Sequence, residues 1–264
     1  MYGRYQLIKK FFRYYLHASD KKGHGVHSPF VFDFIKHVLN DKTEYDIYPK
    51  IETRRDALLQ DKSFITVEDL GAGPVVNQNL SRQVSKIAAW SLKPKKFAQL
   101  LYRMVKYYRP SQVIELGTSL GITTSYLASA SEAPVHTLEG APAIASIARQ
   151  TFSSLGFKNI IQHTGNFDQT FPPLLPDLVH PAFVFIDGNH RKEPTLNYFK
   201  LLLQYADEST ILVFDDIHWS EEMEQAWDII KSDPAVTLSI DLFFIGIVFF
   251  RSEFKVKQHF SVRF

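Results

Sequence analysis

From about residue 94 onward, short β-rich runs alternate with helical stretches, and this alternation limits the fold more than any other feature of the chain. The strands are expected at 112–116, 135–139, 160–164, 182–187 and 210–215, with a final pair at 236–240 and 243–250. Helical patterns occupy 122–131, 142–155, 167–174, 195–206 and 220–231. A strand followed by a helix and another strand closes by a right-handed crossover into a parallel sheet covered on both faces. The last two runs have no helix between them, so they are expected as an antiparallel hairpin. The fold class is therefore α/β, with a Rossmann-like, seven-stranded, mostly parallel sheet. Residues 1–93 read as a mainly helical region supplying a substrate pocket, a lid or oligomer contacts, and 94–264 as the core.

Such sheets bind ligands at the carboxyl ends of their strands, so the residues there carry the functional reading. The first strand ends in Glu115 and runs into Leu116-Gly117-Thr118-Ser119-Leu120-Gly121, with a helix opening near Ile122 and Thr123. Gly117 lets a ligand approach the backbone, and the helix start with its small hydroxyls suits a polar or anionic group. The second strand ends in Glu139, whose carboxylate can accept both hydroxyls of a ribose. Turn and acid together indicate a nucleoside-containing cofactor. The nicotinamide fingerprint requires G-x-G-x-x-G, and Ser119 stands where its second glycine belongs.

These residues resemble class I S-adenosylmethionine (SAM)-dependent methyltransferases, particularly metal-dependent O-methyltransferases of the catechol type. The family's E-x-G-x-x-x-G turn is matched by Glu115 to Gly121, and its ribose acid by Glu139. The resemblance implies that Thr118, Ser119 and Thr123 lie around the cofactor, Thr123 near the methionine carboxylate, and that Gly165 and Asn166 flank adenine. It covers roughly residues 94–250 and is silent on the N-terminal third.

Two more strands end in acids, Asp187 and the pair Asp215-Asp216. Three converging carboxylates repel unless a cation joins them, and Mg²⁺ or Mn²⁺ with oxygen ligands is the simplest neutraliser. The resemblance implies the same set, Asp187, Asp215 and Asp216, with Asp187 also beside the cofactor. His190 and His218 could add imidazole ligands, shifting preference toward softer metals. The catechol enzymes carry a Lys three residues after the first metal Asp, whereas this chain has His190. His190 or His218 would then serve as the base on a metal-polarised hydroxyl. The substitution puts a catechol-like acceptor in doubt and sets a natural-product or sugar hydroxyl on an equal footing with it.

Glu68-Asp69-Leu70-Gly71-Ala72-Gly73 is closer to a generic D-x-G-x-G turn, but no strand ending in a ribose acid follows it. The series His17, His24, His27 and His37 fits no zinc spacing, and the loop around it could belong to a substrate lid. A nicotinamide oxidoreductase and a non-catalytic binding protein on the same fold are the alternatives to a methyltransferase. With no cysteine, thiolate metal sites, disulfides and cysteine nucleophiles are excluded.

A net charge of +2 gives no whole-chain reason to expect a nucleic-acid partner. The longest apolar run, 242–250, is about half a bilayer span, and no secretory leader opens the chain, so a cytoplasmic location is expected. The first 22 residues nonetheless hold six basic residues and one acid among many aromatics. Leu7, Ile8, Phe11, Phe12, Tyr15 and Leu16 recur at helical spacing. The favoured reading is a helix packed on the core or on a second subunit, as in a homodimer; the competing one is a polyanion- or membrane-binding surface.

Overall fold

A computed structural model describes residues 1–20, 23, 26–67, 80–180 and 182–264, with Leu80 described by its backbone alone. The Glu68–Gly73 turn and His24 lie outside the described residues. The chain divides into two compact units, Lys42–Asp177 and Met1–Asp41 with Leu178–Phe264.

In the unit Lys42–Asp177, helix α3 (Ile47–Gln60) precedes a short hairpin, β1 (Phe64–Val67) with β2 (Leu80–Gln83), and then α4 (Val84–Ser91) and α5 (Lys95–Tyr108). The hairpin is antiparallel and stands within the region expected to be helical. Strand–helix alternation begins at β3 (Gln112–Leu116) and continues through α6 (Ile122–Ser129), β4 (Val135–Glu139), α7 (Pro142–Leu155) and β5 (Ile160–Thr164). A short helix α8 (Phe167–Thr170) and a 3₁₀ turn follow where a longer helix was expected, because Pro172 and Pro173 interrupt the pattern. β3 pairs parallel with β4, and β4 with β5. Every residue of β3 is buried, as a parallel strand covered on both faces requires. α3, α4, α5 and α6 close the core through Ile51, Leu58, Val84, Tyr102 and Tyr126.

The other unit contains α1 (Arg4–His17), α2 (Pro29–Phe34) with a π-helical extension over Ile35–Leu39, and the second half of the alternation. That half comprises β6 (Ala182–Ile186), α9 (Lys192–Leu203), β7 (Ile211–Asp215), α10 (Glu221–Ser232), β8 (Leu238–Asp241), β9 (Ile245–Phe249) and β10 (Gln258–Ser261). β6 and β7 are parallel, while β9 lies antiparallel to both β7 and β8. The expected C-terminal hairpin is thus present as β8–β9. β10 adds an eighth strand to the seven expected, pairing parallel with β8. Its alternating half-exposed residues, without a buried apolar run, concealed it.

Local chemistry fixes the element ends. Ser220 accepts a hydrogen bond from the Met223 N–H, and Glu221, Glu222 and Glu224 in the first turn of α10 suit the positive end of its dipole. Gly156 ends α7 at φ +78° with nothing within 4 Å of a would-be Cβ. Gly246 in β9 is constrained by packing: a Cβ there would approach Trp227 Cζ3 to 2.7 Å and Ile217 Cγ2 to 3.0 Å. Gly246→Ala should therefore cost about 1–3 kcal/mol by overpacking. Gly156→Ala should cost about 1 kcal/mol, through backbone strain alone. Paired thermal melts check this; equal losses would contradict the packing account.

Candidate functional site

The glycine-bearing turn expected at Gly117 joins β3 to α6. Its backbone is left-handed at three places, Gly117 (φ +108°), Ser119 (φ +49°) and Gly121 (φ +84°). A side chain on Gly121 would come within 2.6 Å of the Phe152 ring, so that glycine brings α6 close to α7. Beneath the turn Glu115 is fully buried. Its Oε2 accepts hydrogen bonds from the hydroxyl of Thr124 and, at 2.7 Å, from that of Thr137. The β3–β4 register pairs Glu115 with Thr137, which explains that contact. Thr118 continues the network, its hydroxyl 2.6 Å from that of Thr137. Thr124 and Thr137 were not among the expected site residues, since register and helix phase, not a motif, bring them to Glu115.

Burial pushes the Glu115 carboxyl up to about 7, against the opposing pull of the Thr124 and Thr137 hydrogen bonds. Among the described residues its Oε1, which is buried, has no hydrogen-bond partner. Glu139, at the end of β4, is bound to the turn from the other side. Its Oε2 accepts from the Ser119 N–H at 2.8 Å and its Oε1 from the Ala141 N–H at 3.0 Å. Burial raises the Glu139 carboxyl above its usual range, with these backbone donors opposing. The Ser119 hydroxyl lies 2.7 Å from that of Ser91. Thr123 is buried in the first turn of α6. After β5, Gly165 takes φ +137° and Asn166 caps α8, accepting from the Asp168 N–H at 2.9 Å. Glu115, Gly117, Ser119, Gly121 and Glu139 are thus brought to one turn. The donor set fits a cofactor carrying an ammonium group and ribose hydroxyls: one unpaired buried carboxyl oxygen, one carboxylate at the neighbouring strand end, and a glycine turn.

In the other unit, Asp187 follows β6 and Asp215 ends β7, neighbouring parallel strands whose apolar residues are buried. Among the described residues, Asp187, His190 and Asp215 form the group whose ligand atoms all lie within 4.8 Å of one another. His190 Nε2 is 3.4 Å from Asp187 Oδ1. Of the three aspartates expected there, Asp187 and Asp215 are in this group and Asp216 is not. Asp216 stands at φ +52° with its Oδ2 4.0 Å from His190 Nδ1, on the imidazole's far nitrogen. There it can bias the orientation of a ligand histidine. Asn189 (φ +66°) and His190 (φ +29°) are also left-handed, a strained turn that brings the imidazole back toward the strand end.

His218 departs from its expected part. Its Nδ1 is 3.0 Å from Glu224 Oε1 and its Nε2 2.8 Å from Asp241 Oδ2. Burial acts to lower its pKa, but Asp241 and Glu224 outweigh burial and hold it above the ordinary imidazole value. Both nitrogens are engaged by carboxylates, which leaves neither for a metal or for proton transfer. The sequence places a histidine near a strand end; it does not reveal that Asp241 at the end of β8 and Glu224 on α10 enclose it.

The comparisons with known proteins agree with this arrangement. Residues 114–217 match the methyltransferase-domain family. That match spans less than half of the chain. The SAH-bound methyltransferase PaMTH1 of Podospora anserina is 13% identical, with 85% of this chain and 97% of that one covered at a TM-score of 0.57. An O-methyltransferase from Bacillus cereus in complex with SAH is 18% identical, with 83% and 97% covered and a TM-score of 0.54. The O-methyltransferase TomG of Streptomyces achromogenes, solved with SAM and involved in tomaymycin synthesis, is 17% identical over 61% of this chain and 82% of that one, at a TM-score of 0.50. These likenesses establish the class I methyltransferase fold. Uncharacterized protein R132 of Acanthamoeba polyphaga mimivirus is 32% identical over 72 residues, 26% of this chain and 33% of that protein. The match thus spans about a third of that curated relative.

The turn at Gly117 carries a signature in stability. Glu115 moves from an ordinary 4.5 to about 7 on folding. Between those values the unfolded chain has given up the proton and the native protein has kept it, so stability falls as pH rises through that window and levels off above it. The fall is on the order of 3 kcal/mol. Urea titrations at about pH 5 and about pH 8 should show it for the native protein, and Glu115→Gln should flatten it. An unchanged slope in the variant would assign the effect to other groups.

Proposed function

We propose that this chain is a SAM-dependent O-methyltransferase acting on a small-molecule hydroxyl with the help of a divalent cation. The observation that carries this reading is the convergence of Asp187, His190 and Asp215 ligand atoms within 4.8 Å in a methyltransferase domain. The SAM-binding residues are Glu115, Gly117, Ser119, Gly121, Thr123, Glu139, Gly165 and Asn166. Glu139 is the ribose acceptor, because its carboxylate is fixed by two backbone donors and each oxygen retains a lone pair. Thr118 supports the turn from below through Thr137. When bound, the cofactor supplies an electrophilic methyl group on sulfur, and the cation supplies Lewis-acid acidification of the acceptor hydroxyl.

The protein's own residues do the rest. Asp187 and Asp215 provide two hard anionic oxygens, and His190 a neutral nitrogen that favours Mn²⁺ more than an all-oxygen set would. Asp216 biases the His190 ring from its other nitrogen. Fixing the acceptor oxygen near the donor methyl is the main source of rate in such a transfer, since oriented reactants gain about 7–11 kcal/mol over free encounter. A catechol-like hydroxyl and a natural-product or sugar hydroxyl are both candidate acceptors, since His190 stands in place of the lysine of the catechol-type site.

Calorimetry should show SAM binding in preference to NAD, with Glu139→Ala weakening it by about 1.5–3 kcal/mol. Preference for NAD would overturn the cofactor reading. Asp215→Asn should abolish Mn²⁺ binding and methyl transfer while leaving SAM affinity nearly unchanged. His190→Ala should weaken Mn²⁺ binding as well, whereas a pure proton-acceptor role would leave it intact. Full activity after exhaustive chelation would remove the metal from the account.

A further inference from the structure

The first helix, α1, has two unlike faces. Its inner face is bound to its own unit: Lys10 Nζ donates to Glu224 Oε2 at 2.8 Å, the Tyr2 hydroxyl to the same oxygen at 2.7 Å, and the Tyr14 hydroxyl to the Asp241 carbonyl at 3.0 Å. The Phe11 ring meets Phe243 edge-on with centroids 5.0 Å apart. Through Glu224 and Asp241 these contacts join the carboxylates that enclose His218, so α1 is docked in one orientation.

The outer face is apolar and uncovered. No residue of α1 is fully buried. Tyr5, Ile8, Phe12 and Leu16 are 80%, 59%, 62% and 59% exposed, and Tyr15 is exposed beside them. At about 100° per residue these five side chains fall within roughly one quarter to one third of the helix circumference. Lys9 and Arg13 border this stripe on one side and Arg4 on the other, all exposed. Arg263 lies at the C-terminal end, its guanidinium 4.5 Å from the Tyr15 ring. α1 contains no acidic residue.

Two occupants could cover such a face, and the charges choose between them. A second copy packed stripe to stripe would bring Lys9, Arg13 and Arg4 of both helices together with no carboxylate on either helix to answer them. An anionic bilayer surface instead meets apolar side chains with acyl chains and flanking cations with headgroup phosphates. We propose that α1 is a peripheral membrane anchor that lays the Tyr5–Ile8–Phe12–Leu16 ridge into an anionic lipid interface. The packing role expected of this helix accordingly belongs to its inner face alone. The helix is about 21 Å long at 1.5 Å per residue, and the ridge spans most of it, which suits a helix lying in the interface plane.

Co-sedimentation of the full chain with vesicles tests this. Binding to phosphatidylcholine vesicles containing phosphatidylglycerol should exceed binding to phosphatidylcholine alone by at least about tenfold and should weaken as salt is raised. The double variants Ile8→Ser/Phe12→Ser and Lys9→Glu/Arg13→Glu should each lose most of that binding. Because all four side chains are exposed, both variants should melt like the native protein, so a loss of binding could not be ascribed to unfolding. Equal partitioning onto both vesicle types, or none onto either, would overturn the proposal. So would a dimer, seen by analytical ultracentrifugation, that Ile8→Ser/Phe12→Ser dissociates, since the ridge would then belong to a second copy.

Discussion

A carboxyl group that is fully buried at the end of a strand must be satisfied by its neighbours, and Glu115 sets that requirement for the unit Lys42–Asp177. Thr137 answers from β4 and Thr124 from α6, so one side chain ties two strands and a helix together. The turn above them can then leave ordinary backbone geometry at Gly117, Ser119 and Gly121 without losing its shape. Glu139 closes the arrangement by accepting from the Ser119 backbone. The strain is local, and a buried hydrogen-bond network holds it in place.

The unit holding Asp187 follows the same logic with different chemistry. Four of the six described non-glycine residues with left-handed φ, Ser119, Asn189, His190 and Asp216, stand in the two candidate sites. Buried strands provide rigid ends, and strained turns aim the polar side chains from them. His218 lies two residues beyond Asp216 yet is used quite differently, with Glu224 and Asp241 on its two ring nitrogens. That ion cluster also docks α1, so the N-terminal helix and the strand-end loop after β7 depend on one another. Removing the imidazole would take from Glu224 and Asp241 the ring between them, leaving Lys10 paired with Glu224.

Much of this was legible in the sequence because burial on both faces writes apolar runs that end abruptly in acids. Phe183 to Ile186 before Asp187, and Ile211 to Phe214 before Asp215, are such runs, and both form strands with the acids at their ends. The C-terminal hairpin was legible from the missing helix. β10 was not, since Gln258 to Ser261 alternates without a buried run. The cluster of Asp187, His190 and Asp215 was half legible: Asp187 and Asp215 are fixed by strand ends, whereas the approach of His190 depends on left-handed backbone at Asn189 and His190 that no residue type announces. The stripe on α1 was visible as helical periodicity, but periodicity does not say which side faces the protein. Tyr14 and Lys10, hydrogen-bonded to the Asp241 carbonyl and to Glu224, turn it outward.

We propose for this chain both a SAM-binding turn and a cation site made by Asp187, His190 and Asp215. Crystals grown with SAH and Mn²⁺, measured at the manganese absorption edge, address it directly. The account predicts a single strong anomalous peak bonded to Asp187, His190 and Asp215, with the nucleoside ribose on Glu139. SAH bound at Glu139 with no manganese on those three residues would contradict it.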